Sequence, residues 1–119
     1  GGQQIVKRIA SMPENKRNHS VITHIIGIEK WSQRRIRVAL GEPFVDEEYT
    51  GYRPAKNTGW VELIPLFEAT RRETIALVNQ LDPSMLKQRV LHNGYGNITI
   101  GAWLRYVDVH SSFECRKLR

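Results

Sequence analysis

Apolar residues return at helical spacing in three separate stretches of this chain, and no stretch sustains the alternation that a half-buried strand needs. The clearest is residues 20–40, SVITHIIGIEKWSQRRIRVAL. There Val21, Ile25, Ile28 and Leu40 keep helical spacing, Ser20 is placed to cap the start, and Gly41 followed by Pro43 ends it. A second helix runs to Leu81 through LFEATRRETIALVNQL, with Pro65 marking either its start or a kink. Asp82–Pro83 reads as the cap and first position of a short helix, and after HNGYGN Thr99 caps a last helix reaching about Leu118. QQIVKRIASM gives at most a short helix before Pro13, and GGQQ is set aside as an expression remnant. The connection GEPFVDEEYTGYRPAKNTG has no sustained period, and loops this long inside compact domains tend to be functional. The expectation is an all-α helical bundle with the long loop crossing one end.

At 119 residues the chain suits one domain with a single modest core. Its 40% hydrophobic and 25% charged residues exclude a disordered chain, and its apolar runs are too short to span a membrane. No signal-peptide pattern is visible, and the single cysteine, Cys115, rules out an internal disulfide and suits a reducing cytoplasm. The formal charge of +6 is uneven: residues 1–40 are basic and residues 41–68 acidic. Such a basic surface is either a solvated helix face or a meeting place for nucleic acid or an anionic small molecule.

Three polar groups stand on faces that periodicity assigns to the core. His24 is flanked by Val21, Ile25 and Ile28. His110 and Glu114 continue the stripe Ile100, Trp103, Val107 and precede Leu118, one helical turn apart. A His-x3-Glu pair presents a nitrogen and a carboxylate side by side, and a histidine from a neighbouring helix would complete a two-His-one-carboxylate set with open positions for water or substrate. The simpler alternative is a Glu114 paired with a basic neighbour such as Arg71 or Lys117. Arg71 itself falls on the stripe Ile64, Phe67, Ile75 (or Thr74), Val78, and a buried arginine needs an anion: Glu29, Glu114 or a substrate carboxylate. Cys115 falls on another stripe, with Leu104, Asp108 and Ser111, away from the candidate site. No Gly-rich phosphate loop, CxxC pair or nucleophile elbow is present.

The order of SVITHIIGIEKW (20–31), FEATRRETIALVNQL (67–81) and GNITIGAWLRYVDVHSSFECRKLR (96–119) resembles the DinB-like superfamily of metal-binding four-helix bundles. The resemblance implies an up-down-down-up bundle with a long loop between helices 2 and 3 and a shortened first helix. It places the family's metal-binding histidines on His24 and His110, and its third, commonly a histidine, on Glu114. That substitution makes the site harder and more anionic and leaves zinc, nickel and iron all in play. Relatives include thiol-dependent transferases and isomerases, and others described as metal hydrolases. The family fixes no single reaction.

The leading expectation is therefore a divalent-metal enzyme, a hydrolase or thiol S-transferase, acting on a small-molecule substrate with an anionic part and in some cases using a low-molecular-weight thiol. His24, His110 and Glu114 would hold the cation, Arg71 would hold the substrate, and Glu29 would serve as general base or orient a ligand. The loop 41–59, with Tyr49, Tyr52 and Arg53, would form the pocket's rim. The resemblance leaves room for a homodimer. Competing readings are a nucleic-acid or partner-binding module using Lys30, Arg34, Arg35 and Arg37, which do not share one face, and a pseudoenzyme with a vestigial metal site.

Overall fold

The computed structural model describes residues 1–119 and contains four α-helices and one short hairpin. The helices are α1 (Gly2–Ala10), α2 (Lys16–Ile36), α3 (Trp60–Val78) and α4 (Ile100–Cys115). Strands β1 (Arg89–His92) and β2 (Gly96–Thr99) pair antiparallel, with Val90 opposite Ile98 and His92 opposite Gly96. No helix is long and apolar enough to cross a membrane.

Two clusters of buried side chains give the helix directions. Where all four helices meet, Ile5 and Ile9 pack with Ile22, Ile25, Ile26, Leu63, Phe67, Cys115 and Leu118. The second cluster joins Ile28, Trp31, Ile36 and Ala39 to Leu77, Val90, Ile100 and Trp103. Hence α2 and α3 both run from the first cluster to the second, and α4 returns. α1 begins against Arg71 midway along α3 and ends where Arg8 donates to the Leu118 carbonyl at 3.0 Å, so it runs against α2 and α3. This is the up-down-down-up order. Because α1 is short, it covers only the first cluster; the hairpin closes the other, where the Trp103 indole donates to the Val90 carbonyl at 3.0 Å.

Parallel α2 and α3 oblige the loop between them to travel back along the bundle, so it lies along α2 and does not cross one end as expected. It is pinned at three heights. The Glu47 carbonyl accepts from Trp31 Nε1 and Arg35 Nη2, both at 2.9 Å. Lower down, Arg53 Nη2 donates to the Ser20 carbonyl and to Thr23 Oγ1. At the far end His19 Nε2 lies 2.7 Å from the Thr58 carbonyl. Gly27 makes the middle contact feasible: a Cβ there would lie 2.8 Å from Arg53 Cγ and 3.2 Å from its Cα.

Several boundaries differ from the periodicity reading. α2 starts at Lys16 because Asn15, not Ser20, accepts the capping bond from the Asn18 amide at 2.8 Å. It tightens into a 3₁₀ turn over Arg37–Leu40 and ends at Gly41, whose φ of 98° suits glycine. The stretch GGQQ, set aside above, enters α1, whose Ile5 and Ile9 are buried. α3 starts five residues before Pro65, with the Glu62 carboxylate capping the Gly59 amide; Pro65 sits exposed in its early turns. Asp82 caps only a 3₁₀ turn, Met85–Lys87. The face of α3 turned to the core is Leu63, Phe67, Thr70, Thr74 and Leu77, one residue off the expected stripe, and Ile75 and Val78 are exposed.

Candidate metal centre

The buried stripe of α4 is Ile100, Trp103, Val107, Ser111 and Cys115, continued by Leu118. Cys115 and Ser111 therefore belong to the core, and His110 and Glu114 stand beside the stripe, half-buried toward α2. There they meet His24. His24 Nε2 lies 3.2 Å from His110 Nε2 and 3.9 Å from Glu114 Oε1, and His110 Nε2 lies 3.8 Å from the same oxygen. A triangle with those edges has a circumradius of about 2.1 Å, so one point lies at zinc-ligand distance from all three atoms. These three form a group able to hold a cation.

The protonation chemistry agrees with that geometry. Burial, and then the neighbouring His24, push His110 down to about 4, and burial also lowers His24 against the opposing charge of Glu114. Both rings are thus neutral near pH 7, each with a lone pair available to a metal. Without a cation, one Nε2–H donates to the other across 3.2 Å. Glu114 supplies the negative charge and is held from outside by Lys117, whose Nζ lies 3.0 Å from Oε1 and 2.8 Å from Oε2. The alternative partner named from sequence, Lys117, is thus present at the rim, yet Oε1 still faces the two histidines.

Aromatic rings wall the group. Tyr49 from the loop meets His24 edge-on at 4.9 Å, and Tyr106 packs on His110 at 5.5 Å. Burial pushes the Tyr106 phenol up to about 12, so it stays neutral. His110 Nδ1 is buried with no hydrogen-bond partner, so packing on Tyr106, and not an outer acceptor, orients this ring. An open cavity of about 430 Å³ adjoins the group, and its lining includes His24, Glu114, Arg17, Arg53 and Lys117.

Glu29 and Arg71 lie elsewhere in the bundle. Arg71 Nη2 and Nε bond the Glu29 carboxylate at 2.9–3.2 Å, Thr74 Oγ1 donates to Glu29 Oε2 at 2.7 Å, and Arg71 also reaches Ser111 and Asp108. Both are therefore engaged with each other at the α2–α3 seam, with Glu29 fully buried. In the loop, Tyr52 bonds Glu47 and Arg53 lines the cavity. Arg17 carries no spacing signal that would have marked it, because its neighbours in space, Arg53 and Lys117, are remote in sequence.

The basic cluster on α2 does not form a free patch. Arg35 is buried, donating to the Glu47 carbonyl and Asn93, and is stacked between Trp31 and Phe44. Arg34 bonds the Pro43 carbonyl, Arg37 pairs with Glu42, and Lys30 with Glu73.

No curated protein and no solved structure matches the chain. Residues 12–112 match the family model of the DinB superfamily, a span that includes His24 and His110 and stops two residues short of Glu114. With a match over most of its length and an up-down-down-up helical bundle, the chain belongs to the DinB superfamily.

Proposed function

We propose that this chain is a divalent-metal-dependent enzyme, a hydrolase or a thiol-dependent transferase, whose metal is held by His24, His110 and Glu114. The observation that carries this reading is the convergence of Nε2, Nε2 and Oε1 from two helices on one point. Two neutral imidazoles and one carboxylate form a borderline donor set that accepts zinc, nickel or iron and leaves open positions. A cation so held lowers the pKa of bound water, or of a low-molecular-weight thiol, toward neutrality. The chain's own residues do the rest. His24 and His110 stay deprotonated because they are buried, Lys117 fixes the carboxylate, and Tyr49 and Tyr106 limit water at the rings.

Glu29 and Arg71 enter this proposal through α2 and α3, on which they fix one another. A role in contact with substrate would show as a loss of kcat in Glu29→Gln at unchanged metal content. A cytoplasmic setting and a homodimer remain parts of the proposal that rest on the family and on the single buried cysteine. The nucleic-acid reading is less well supported, because Arg35 is buried and Arg34, Arg37 and Lys30 are engaged with neighbouring groups of the chain.

The deciding experiment is metal analysis and zinc calorimetry of the wild type beside His110→Ala and Glu114→Ala. Removing a direct ligand should weaken zinc by more than the roughly 10–100-fold typical of outer partners. Wild-type protein that binds no divalent metal, or variants that bind it equally, would refute the reading. A metal that binds without any hydrolase or transferase turnover would favour the pseudoenzyme.

A further inference from the structure

We propose that Arg17 and Arg53, beside the Lys117 that is paired with Glu114, form a recognition subsite for the oxyanion group (carboxylate or phosphate) of a small molecule whose other end meets the His24–His110–Glu114 group. This deepens the metal-enzyme reading and rests on it for what happens at the other end.

Three observations converge. First, the cavity of about 430 Å³ beside His24 and Glu114 has the size of a metabolite site, and three of its seven lining residues are cations against one carboxylate. That carboxylate, Glu114, is already paired with Lys117, so the two guanidinium groups are left without a counter-ion. Neither Arg17 nor Arg53 takes part in any ion pair. A concave surface with uncompensated positive charge concentrates anions.

Second, each guanidinium is anchored by one nitrogen and keeps others free. Arg17 Nε donates to the Lys117 carbonyl at 2.9 Å, leaving both Nη groups open. Arg53 uses Nη2 alone, toward the Ser20 carbonyl, Ser20 Oγ and Thr23 Oγ1, leaving Nη1 and Nε open. Anchored arginines with open N–H groups suit a planar or tetrahedral oxyanion, because less rotamer freedom is lost on binding.

Third, the arrangement is built into the fold. Arg53 comes from the loop, Arg17 from the start of α2 and Lys117 from beyond α4, and Gly27 is what lets the loop backbone descend onto α2 at Arg53. A larger residue at that helix position would push Arg53 away from Ser20 and Thr23.

The test titrates inorganic phosphate and malonate into metal-free protein, followed by NMR shifts and calorimetry, with zinc binding measured in parallel. Wild type should bind both probes, and Arg53→Met and Arg17→Met should each weaken them about tenfold. Arg17 is exposed, so its variant keeps the test valid if Arg53→Met fails to fold. Arg72→Met, on the exposed face of α3, should bind the probes as wild type does. His110→Ala should lose zinc and keep phosphate, and Arg17→Met should do the reverse. Probe binding unaffected by either arginine substitution would overturn the subsite and leave the metal reading standing. Preferential binding of duplex DNA at physiological salt, lost in Arg17→Met, would overturn the small-molecule assignment in favour of nucleic acid.

Discussion

Arg71 grips Glu29 with two nitrogens, Nη2 at 2.9 Å and Nε at 3.0 Å, across the seam between α2 and α3. The Glu29 side chain is 1% exposed and that of Arg71 17%, so each charge relies on the other for the solvation that water no longer supplies. Removing one partner strands the other. Arg71→Ala should lower unfolding stability by about 3–5 kcal/mol in urea denaturation, a large share of what a small domain has. Zinc affinity should change far less, because neither residue contacts the histidines.

Gly27→Ala should separate the loop from α2. The new methyl would collide with Arg53 backbone as well as with its side chain, so a rotamer change cannot relieve it. A cost of about 1–3 kcal/mol is expected, as for other overpacked contacts. Limited proteolysis and hydrogen exchange should show the loop around Arg53 opening, with α4 protected as before.

His92 makes stability fall in acid. It is buried among Trp31, Trp103, Tyr95 and Tyr106, and burial followed by the charge of Arg35 lowers its pKa. As pH drops through about 6.5 the unfolded chain takes up a proton that the folded chain refuses, so the folded state loses stability until its own lower pKa is reached. His92→Asn keeps an acceptor for the Gly94 and Tyr95 amides, now bound by Nδ1, but cannot titrate. In chelator-treated protein, the stability difference between variant and wild type should shift in favour of the variant as pH is lowered below 6.5.

Cys115 should be inert in the folded protein. Burial raises its thiol pKa, and its side chain packs with Ile5, Ile9 and Leu118. Alkylation should be slow until denaturant is added. Cys115→Ser should leave zinc binding intact while costing about 1–3 kcal/mol for a newly buried hydroxyl.

The helices and the two histidines were legible because long amphipathic segments carry strong periodicity and a turn fixes which residues share a face. The faces themselves were read with a small rotation. On α3 the core positions include Thr70 and Thr74, whose hydroxyls donate to the Leu66 carbonyl and to Glu29 Oε2, whereas Ile75 stands in solvent. On α4 the buried stripe advances four residues from Val107 to Ser111 and then to Cys115, not three to His110 and on to Glu114, and Ser111 satisfies its hydroxyl on the Val107 carbonyl. Periodicity shows no strand here, although HNGYGN carries a hairpin signal: Gly96, at φ 77°, opens β2 after the three-residue turn Asn93, Gly94, Tyr95. The loop's course was not visible at all, because it follows from the parallel directions of α2 and α3, which no local pattern encodes. The stripe on α3 points Arg71 inward and leaves its anion open among Glu29, Glu114 and a substrate; the packing selects Glu29.

A segment that must return the length of a helix has a minimum span, and here it has slack. α2 covers about 31 Å at 1.5 Å per residue, whereas the nineteen residues 41–59 reach about 65 Å when drawn out. Roughly half of that reach is surplus. It is distributed unevenly, since residues 47–53 are fixed to α2 by Glu47 and Arg53 while residues 42–46 are exposed. Length changes at residues 42–46 are absorbed upstream of both anchors. A change of length there would give up the contacts of Pro43 with Arg34, of Glu42 with Arg37 and of Phe44 with Arg35, while the Glu47 and Arg53 anchors keep the height at which Tyr49 and Arg53 stand beside His24.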